Sequence, residues 1–185
     1  MNRCPWPGED KLMQRYHDTE WGVPLHNDRK LFEFMVLDAF QAGLSWRTVL
    51  HKRKNFAAAF DNFDPKKIVN YKGAKLRQLL ANPGIIRNRL KIAGTVKNAQ
   101  VFLHIQKLHG SFDAFIWQFV GNKPKVNRWK SSKQIPARSK ESDAMSVALK
   151  DAGFTFVGST ICYAFMQASG MVNDHLVDCP RHKQV

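Results

Sequence analysis

Each end of this 185-residue chain carries one Cys and one His, and these four side chains could hold the two ends together. Cys4 and His17 are separated by twelve residues, whereas His175 and Cys179 are separated by three. On a helix the shorter spacing would place both side chains on one face. Two thiolates and two imidazoles are the ligand set of a closed, tetrahedral zinc site. The sequence therefore favours one structural zinc ion that joins the termini, with unrelated surface histidines and inert cysteines as the alternative.

The length and composition predict a soluble globular protein. Hydrophobic residues at 44% and charged residues at 24% are ordinary for this class, and 185 residues suffice for one large domain over 1–185 or two small lobes. No apolar run reaches membrane-spanning length, and the first residues do not form a signal peptide. Three cysteines are too few for a disulfide framework, which favours the reducing cytoplasm.

The formal net charge of +14 is clustered along the chain. Residues 85–112 contain five Lys or Arg and no Asp or Glu, and residues 121–140 contain seven, again without an acidic residue. Clustered positive charge is typical of proteins that bind a polyanion, most often nucleic acid. The alternative is that these clusters are only a solvated face.

The dominant hydrophobic period is helical, which predicts an all-α fold. We expect a loop over residues 121–139, and the apolar residues 155–157 are too few to form a sheet. We expect helices from Asn27 or Asp28 to Gly43, from Ser45 through Phe60, from Asp64 to Tyr71, around Leu76 to Leu80, from Ile86 to about Leu108, from Ser111 through Phe119, through Ala144 to Ala148, and from Ser159 or Thr160 through Ala168.

The segment from Leu79 to Arg87 predicts two helices joined by a tight Pro-Gly turn. The free backbone N–H groups at the start of the second helix, together with its dipole, would favour a phosphate, with Arg87 and Arg89 beside it. This pattern favours sequence-independent binding of the DNA backbone. An ordinary helix–helix connection is the alternative.

A carboxylate lies on the apolar face of the first predicted long helix. Asp38 follows Leu31 by seven residues, Phe34 by four and Met35 by three, so all four share one face. A buried carboxylate must be paired, hydrogen-bonded or protonated. Periodicity leaves two roles open, a structural cap or ion pair and an acceptor in a binding pocket.

The first quarter of the chain is rich in aromatic residues, and Trp6, Tyr16, Trp21 and Trp46 lie close in sequence to Asp38. Aromatic residues at helical spacing usually belong to the core. Their position beside the Cys/His cluster and an inward carboxylate favours a stacking pocket as the second interpretation.

Six segments, in order over nearly the whole chain, carry a family resemblance. They are Arg3-Cys4, YHDTEWGVP at 16–24, QAGLSW at 41–46, NPGIIR at 82–87, FTFVGSTICY at 154–163 and MVNDH at 171–175. These segments resemble the type I 3-methyladenine DNA glycosylases. The resemblance implies a helix-hairpin-helix protein of two helical lobes, a zinc clip formed by the four Cys and His residues above, and a monomer that excises 3-methyladenine from alkylated double-stranded DNA.

The resemblance also implies roles for individual residues. It makes Tyr16, Trp21 and Trp46 rings of a base pocket, with Trp6 as a further one, and it makes position 38 the carboxylate at the pocket's edge. Of these, Asp38, Tyr16 and Trp46 are the expected catalytic residues. Contacts to DNA are expected from Gly43 and Leu44 as a wedge that fills the place of a flipped nucleotide, and from the hairpin residues Gly84, Ile85, Ile86, Arg87 and Arg89.

Several features refine this expectation. The wider helix-hairpin-helix glycosylases place a catalytic Asp after the hairpin, and residues 85–112 contain none, which agrees with the type I family. No lysine stands out as a nucleophile, so we expect a monofunctional glycosylase without lyase activity. The family usually carries Glu where this chain has Asp38, and commonly an aromatic residue where it has Met13. These departures keep open a member of the fold with a changed lesion or lost catalysis. A zinc-stabilised, partner-binding helical domain is the other alternative.

Overall fold

The computed structural model describes residues 3–185. Residues 1 and 2 belong to the segment that we expect not to be a signal peptide, and they lie outside the described residues. The described residues form nine α-helices, which confirms the prediction of an all-α fold. They are α1 (Lys11–Thr19), α2 (Asp28–Gln41), α3 (Trp46–Ala59), α4 (Pro65–Ile68), α5 (Gly73–Ala81), α6 (Arg89–His109), α7 (Phe112–Trp117), α8 (Lys140–Asp151) and α9 (Ser159–Ala168). None of them is both long and apolar enough to cross a membrane.

Several helices begin at the capping residue that the sequence predicts. The side chains of Asn27, Ser45, Asp64 and Ser111 each accept a hydrogen bond from a backbone N–H in the first turn of the helix that follows. These bonds satisfy amide groups that have no partner inside the helix. The polar side chains therefore fix where α2, α3, α4 and α7 start.

Two helix starts differ from the prediction, and one helix was not predicted. Helix α6 begins at Arg89 rather than Ile86, because the Asn88 side chain caps it by accepting from Lys91 N. Helix α9 begins after Gly158, so that Ser159 lies inside the helix instead of capping it. Helix α1 was not predicted; the Asp10 side chain caps it by accepting from two backbone N–H groups.

One short pair of strands lies partly in the segment 121–139, which the sequence predicts to be a loop. Strand β1 (Lys125–Val126) pairs in parallel with β2 (Val172–Asn173), with Lys125 opposite Val172. Strands of two residues are too short to show an alternating pattern, so the pairing depends on contacts between distant parts of the chain. It ties the basic segment 121–140 to the C-terminal region.

Helix α2 is the centre of the fold. Every residue from Leu31 to Phe40 is buried, and the helix contacts α3, α6, α7 and α9. A helix that is apolar on all sides must be covered on all sides. Asp38 therefore lies deep in the molecule, with 2% of its surface exposed.

A glycine permits the close approach of the chain after α1 to the end of α9. Gly170 has φ +69°, and a Cβ atom there would lie 2.2 Å from the carbonyl carbon of Val23. The segment is held by hydrogen bonds from Gly22 N to Gln167 O and from Leu25 N to Ser169 O, both 3.0 Å long. This contact sets Trp21 against α9.

Candidate functional site

The four predicted metal ligands converge on one buried point. The ligand atoms of Cys4, His17, His175 and Cys179 all lie within 4.8 Å of one another. Cys179 Sγ lies 3.7 Å from both His17 Nε2 and His175 Nδ1, and Cys4 Sγ lies 3.8 Å from His175 Nδ1. The two imidazole nitrogens are 3.1 Å apart. Segments at opposite ends of the chain thus meet at a single cluster.

These distances match a tetrahedral metal site. Bonds of about 2.3 Å to sulfur and about 2.0–2.1 Å to nitrogen place tetrahedral S and N ligands about 3.6 Å apart and two N ligands about 3.3 Å apart. The observed separations of 3.7–3.8 Å and 3.1 Å are close to these values. The cluster could therefore hold one four-coordinate metal ion.

Hydrogen bonds orient both imidazole rings of the cluster. His17 Nδ1 lies 2.7 Å from Asp18 Oδ1, and His175 Nε2 lies 3.0 Å from the Trp21 carbonyl oxygen, so in each ring the other nitrogen faces the cluster. Arg3 donates two hydrogen bonds to Asp18 and lowers the pKa of that carboxyl to about 2. Such outer partners fix the tautomer of a metal-binding histidine.

The prediction that His175 and Cys179 lie on a helical turn was wrong. The backbone between them forms a turn in which Cys179 N donates to Leu176 O over 2.8 Å, and a 3-10 helix begins only at Pro180. The three-residue spacing still lets both side chains reach one point. Leu176 N also points at Cys4 Sγ at 3.4 Å, a contact that favours the thiolate.

A cavity of about 320 Å³ lies beside the metal cluster. The structure brings together in its wall the four aromatic residues and the carboxylate that the sequence singles out. The lining residues are Trp6, Tyr16, Trp21, Asp38, Gln41, Trp46, Ser132, Ile135, Ala164, Gln167 and Ala168. The size and the mostly apolar lining with a few polar groups are typical of a small-molecule site.

The aromatic rings form a continuous wall. The Tyr16 ring centroid lies 5.1 Å from that of Trp46, and the Trp6 ring lies 5.1 Å from Trp21. Met13, at the position where the sequence departs from the family pattern, is buried and does not line the cavity. The wall therefore consists of four rings from three parts of the chain.

Three polar atoms of this wall are buried without a hydrogen-bond partner among the described residues: Asp38 Oδ2, Trp6 Nε1 and Trp46 Nε1. Burial raises the pKa of Asp38 well above its ordinary value of 3.8. The pKa of the Tyr16 phenol is also raised, first by burial and then by the nearby charge of Asp38. Unpartnered buried polar groups are rare in folded proteins, so these are poised for a polar ligand.

The metal cluster and the cavity share a wall. Tyr16 precedes His17 in α1, and the Trp21 carbonyl accepts the hydrogen bond of His175. The Trp6 ring packs 5.5 Å from His17, and the Trp21 ring lies 4.7 Å from His175. The orientation of these rings therefore depends on the cluster.

An ion-pair network that the sequence did not reveal braces the same wall. Arg53 Nη1 donates to Glu20 Oε2 at 2.7 Å, and Arg53 Nε donates to Glu33 Oε1 at 2.6 Å. Its guanidinium also lies 5.2 Å from the centre of the Phe34 ring, which in turn packs against Tyr16. Arg53 thus ties α3 to α2 and to the end of α1.

The expected wedge lies at the turn between α2 and α3. Gly43 has φ +79°, and Leu44 is 45% exposed, which is high for a large apolar side chain. A second residue that the sequence missed holds this turn: Lys91 Nζ donates to Phe40 O at 2.8 Å and to Ala42 O at 2.5 Å. Burial lowers the pKa of Lys91. This lysine connects the start of α6 to the turn that carries Leu44.

The hairpin between α5 and α6 has a fixed core and an exposed edge. Gly84 N donates to Asn82 Oδ1 at 2.8 Å, and the Ile85 side chain is buried, so neither group is free for a ligand. In contrast, no hydrogen bond from the backbone N–H of Ile86 or Arg87 is found in residues 3–185. Those two amides, with the exposed side chains of Arg87 and Arg89, remain available to an anion.

Comparisons with known proteins agree over almost the whole chain. The sequence model of the family described as methyladenine glycosylase matches residues 6–182. The chain is 48% identical over 178 residues to the DNA-3-methyladenine glycosylase of Haemophilus influenzae, with 96% of each chain covered. It is 47% identical over 179 residues to DNA-3-methyladenine glycosylase 1 of Escherichia coli, which covers 97% of this chain and 96% of that one.

A solved structure gives the same result in three dimensions. A variant of 3-methyladenine DNA glycosylase I in complex with 3-methyladenine matches with a TM-score of 0.94 and 33% identity, covering 97% of each chain. The likeness extends over the sequence, the order of the helices and their arrangement in space. On these findings, the chain belongs to the methyladenine glycosylase family.

Proposed function

We propose that the protein is a monofunctional DNA glycosylase of base-excision repair that hydrolyses the N-glycosidic bond of 3-methyladenine in double-stranded DNA. The observation that carries this proposal is the buried Asp38 carboxyl in a wall of four aromatic rings, because its Oδ2 atom has no hydrogen-bond partner among the described residues. The family and the names of the relatives support it. We also propose that the protein is a monomer, as the family resemblance implies.

The chemistry of the substrate explains this set of residues. Methylation at N3 makes adenine cationic, so the base is already a good leaving group and needs little acid catalysis. A cation against the face of an aromatic ring gains about 0.5–2 kcal/mol per favourable contact. The carboxylate of Asp38 accepts from the amino edge of the base, and its charge attracts the cation more strongly than it would in water because Asp38 is buried.

The raised pKa of Asp38 suits a cationic ligand. In the free pocket, burial favours the neutral carboxyl group, whereas a cation beside it favours the carboxylate. The flipped base therefore supplies the charge that the pocket lacks. Tyr16 and Trp46 hold the base against this carboxylate, while the indole N–H groups of Trp6 and Trp46 offer donors to acceptor nitrogens of the ring.

The absence of lyase activity rests on the cavity's lining. A lyase needs an amine nucleophile, and no lysine lines the cavity in the described residues. Lys91 is buried, but its amine is engaged by two backbone carbonyl groups at the end of α2. Water is therefore the nucleophile that attacks the anomeric carbon of the sugar.

Access to the base requires the nucleotide to leave the helical stack. We assign Leu44, with Gly43, to fill the vacated place, because it is exposed on the turn that directly follows the pocket helix α2. Gly84 and Ile85 shape the hairpin turn, and the backbone N–H groups of Ile86 and Arg87 meet a phosphate, with the side chains of Arg87 and Arg89 beside it. Backbone contacts of this kind hold DNA without reading its sequence.

We assign zinc to the Cys/His cluster, because two thiols and two imidazoles at tetrahedral spacing form a closed zinc site. Burial raises the pKa of the Cys4 thiol to about 12 and lowers that of His175 to about 4, so the ligands would be a neutral thiol and a neutral imidazole until zinc displaces the thiol proton. All four positions are filled by protein, which makes the ion structural. A thiolate site also suits the reducing cytoplasm.

The first prediction concerns the activity itself. Incubation with methylated duplex DNA should release 3-methyladenine, and Asp38→Asn should lower the rate about ten- to a hundred-fold, because a hydrogen bond to a charged partner is lost. Asp38→Glu keeps the charge and should retain excision. Chromatography of the released bases measures this. A folded protein that binds duplex DNA and releases no base would instead be a member of the fold without catalysis.

The melting temperature separates a pocket role of Asp38 from a structural one. Because its pKa is raised in the folded protein, Asp38 contributes stability that is full below pH 3.8 and is lost as pH rises through the raised pKa. At neutral pH Asp38→Asn should therefore melt at a higher temperature than the unaltered protein, and this difference should vanish near pH 3.8. A lower melting temperature at neutral pH would make Asp38 a structural cap.

The second prediction concerns the hairpin. Arg87→Glu should weaken binding to unrelated duplexes alike and reduce the slope of log affinity against log salt by about one, because one phosphate contact is lost. Lys183→Glu, in the 3-10 helix near the C-terminus, changes the net charge equally and serves as control. Fluorescence anisotropy with labelled duplexes measures both. Equal losses for the two variants, or binding that salt does not affect, would contradict a hairpin contact.

The third prediction concerns the metal. The purified protein should contain one zinc per chain, and Cys4→Ser should lose it and melt roughly 10 °C lower, since a metal that joins both ends contributes several kcal/mol. Cys162→Ser is the control, because Cys162 is buried in the core away from the cluster. Elemental analysis and thermal unfolding measure the two effects. Folded protein without zinc, or equal effects of both variants, would contradict the assignment.

A further inference from the structure

A fully buried carboxylate behind the cavity accepts four hydrogen bonds. Asp174 Oδ1 accepts from Asn127 Nδ2 and Trp129 Nε1, both at 2.7 Å. Asp174 Oδ2 accepts from the Tyr163 hydroxyl at 2.7 Å and from Gln167 Nε2 at 2.8 Å. A carboxylate offers about four acceptor positions, so this group is saturated.

The saturation of Asp174 fixes the orientation of Gln167. An ionised carboxylate only accepts hydrogen bonds, so the amide nitrogen of Gln167, and not its oxygen, must face Asp174. The amide oxygen then points away from Asp174. Gln167 lies on the same face of α9 as Ala164 and Ala168, and all three line the cavity.

The amide oxygen of Gln167 is free. No hydrogen bond to Gln167 Oε1 is found within residues 3–185, although the nitrogen of the same amide is bound to a buried group. The cavity wall thus offers a hydrogen-bond acceptor on Gln167 in addition to the one on Asp38.

We propose that Gln167 Oε1 is a second base-reading acceptor, oriented by Asp174, and that it directs the pocket towards methylated adenine and against methylated guanine. This inference rests on the proposed glycosylase function. The exocyclic amino group of adenine carries two N–H donors, which two acceptors can bind together. Guanine has a carbonyl oxygen at the same ring position. If Asp38 and Gln167 both face that oxygen with acceptor atoms, none of the three oxygens receives a hydrogen bond.

The cost of leaving a buried polar group without a partner supports discrimination between methylated adenine and methylated guanine. A site built to bond a donor rejects an analogue without that donor more strongly than an apolar pocket does, because its buried polar groups lose their partners. Asp174 acts as a positioning residue, since it does not line the cavity and acts through the Gln167 amide. If the amide could rotate, the pocket would present a donor as readily as an acceptor.

The test compares two substitutions that each remove one donor from the same oxygen of Asp174. Gln167→Met removes the cavity acceptor as well, whereas Tyr163→Phe leaves the cavity lining unchanged. Release of 3-methyladenine and of 3-methylguanine is measured from the same methylated duplex. Gln167→Met should lower the rate for 3-methyladenine about ten- to a hundred-fold and leave that for 3-methylguanine unchanged or faster, so the ratio falls. Tyr163→Phe should keep the ratio.

A ratio that stays the same in Gln167→Met, or that falls equally in Tyr163→Phe, would overturn the inference, because the effect would then come from packing around Asp174. If Gln167→Met does not fold, Gln167→Asn carries the test, since it keeps an amide but withdraws the oxygen by one methylene, and the ratio should again fall. Failure of the unaltered protein to release either base would overturn the proposed function, and the inference with it. Release of 3-methyladenine with unchanged ratios in the variants would overturn the inference alone.

Discussion

Four ligand side chains from opposite ends of the chain meet at one buried point, and the walls of the cavity depend on this convergence. His17 stands next to Tyr16, and the hydrogen bond of His175 ends on the Trp21 carbonyl. Chain termini fray unless they are tied down, and here the segments near both termini contribute to the cavity. A metal-bound cluster would thus hold the rings in the positions that a flipped base needs, without taking part in the reaction. The close contact of Gly170 with Val23 supports the same wall from the side of α9.

The cavity and the residues around it contain two kinds of polar group. Asp174 accepts four hydrogen bonds and Arg53 donates to two carboxylates, and both make their surroundings rigid, whereas Asp38 Oδ2 and two indole nitrogens have no partner among the described residues. An unpartnered buried polar group destabilises the folded protein. Such a cost is common at sites that must bind a ligand tightly. The rigid groups surround the unpartnered ones, so that the pocket keeps its shape when it is empty.

The sequence predicted the parts of the structure that local chemistry determines. The capping side chains of Asn27, Ser45, Asp64 and Ser111 marked helix starts, and helical periodicity placed Asp38 inward. The choice between a structural and a pocket role of Asp38 needed the tertiary structure, in which Asp38 Oδ2 is buried without a hydrogen-bond partner from residues 3–185. The aromatic density of the first quarter of the chain singled out the four rings, and the family resemblance made them a base pocket rather than part of the core.

Other features depend on contacts between residues far apart in the chain, and no local pattern indicates them. Lys91 reaches carbonyl groups about fifty positions earlier, Asp174 collects donors from the basic segment and from α9, and β1 pairs with β2 over two residues each. His175 and Cys179 reach the cluster from a turn, although their spacing also suited a helix. The spacing fixed the reach of the side chains but not the backbone between them.

The proposed role of Asp38 is to accept a hydrogen bond from the amino group of 3-methyladenine in the aromatic cavity. A crystal structure of the protein with free 3-methyladenine tests it most directly. The account predicts the base inside the cavity, with its ring against at least one of the four aromatic side chains and its amino nitrogen about 2.7–3.2 Å from an Asp38 oxygen. A base bound outside the cavity, or bound inside it with Asp38 beyond hydrogen-bond distance, would contradict the account.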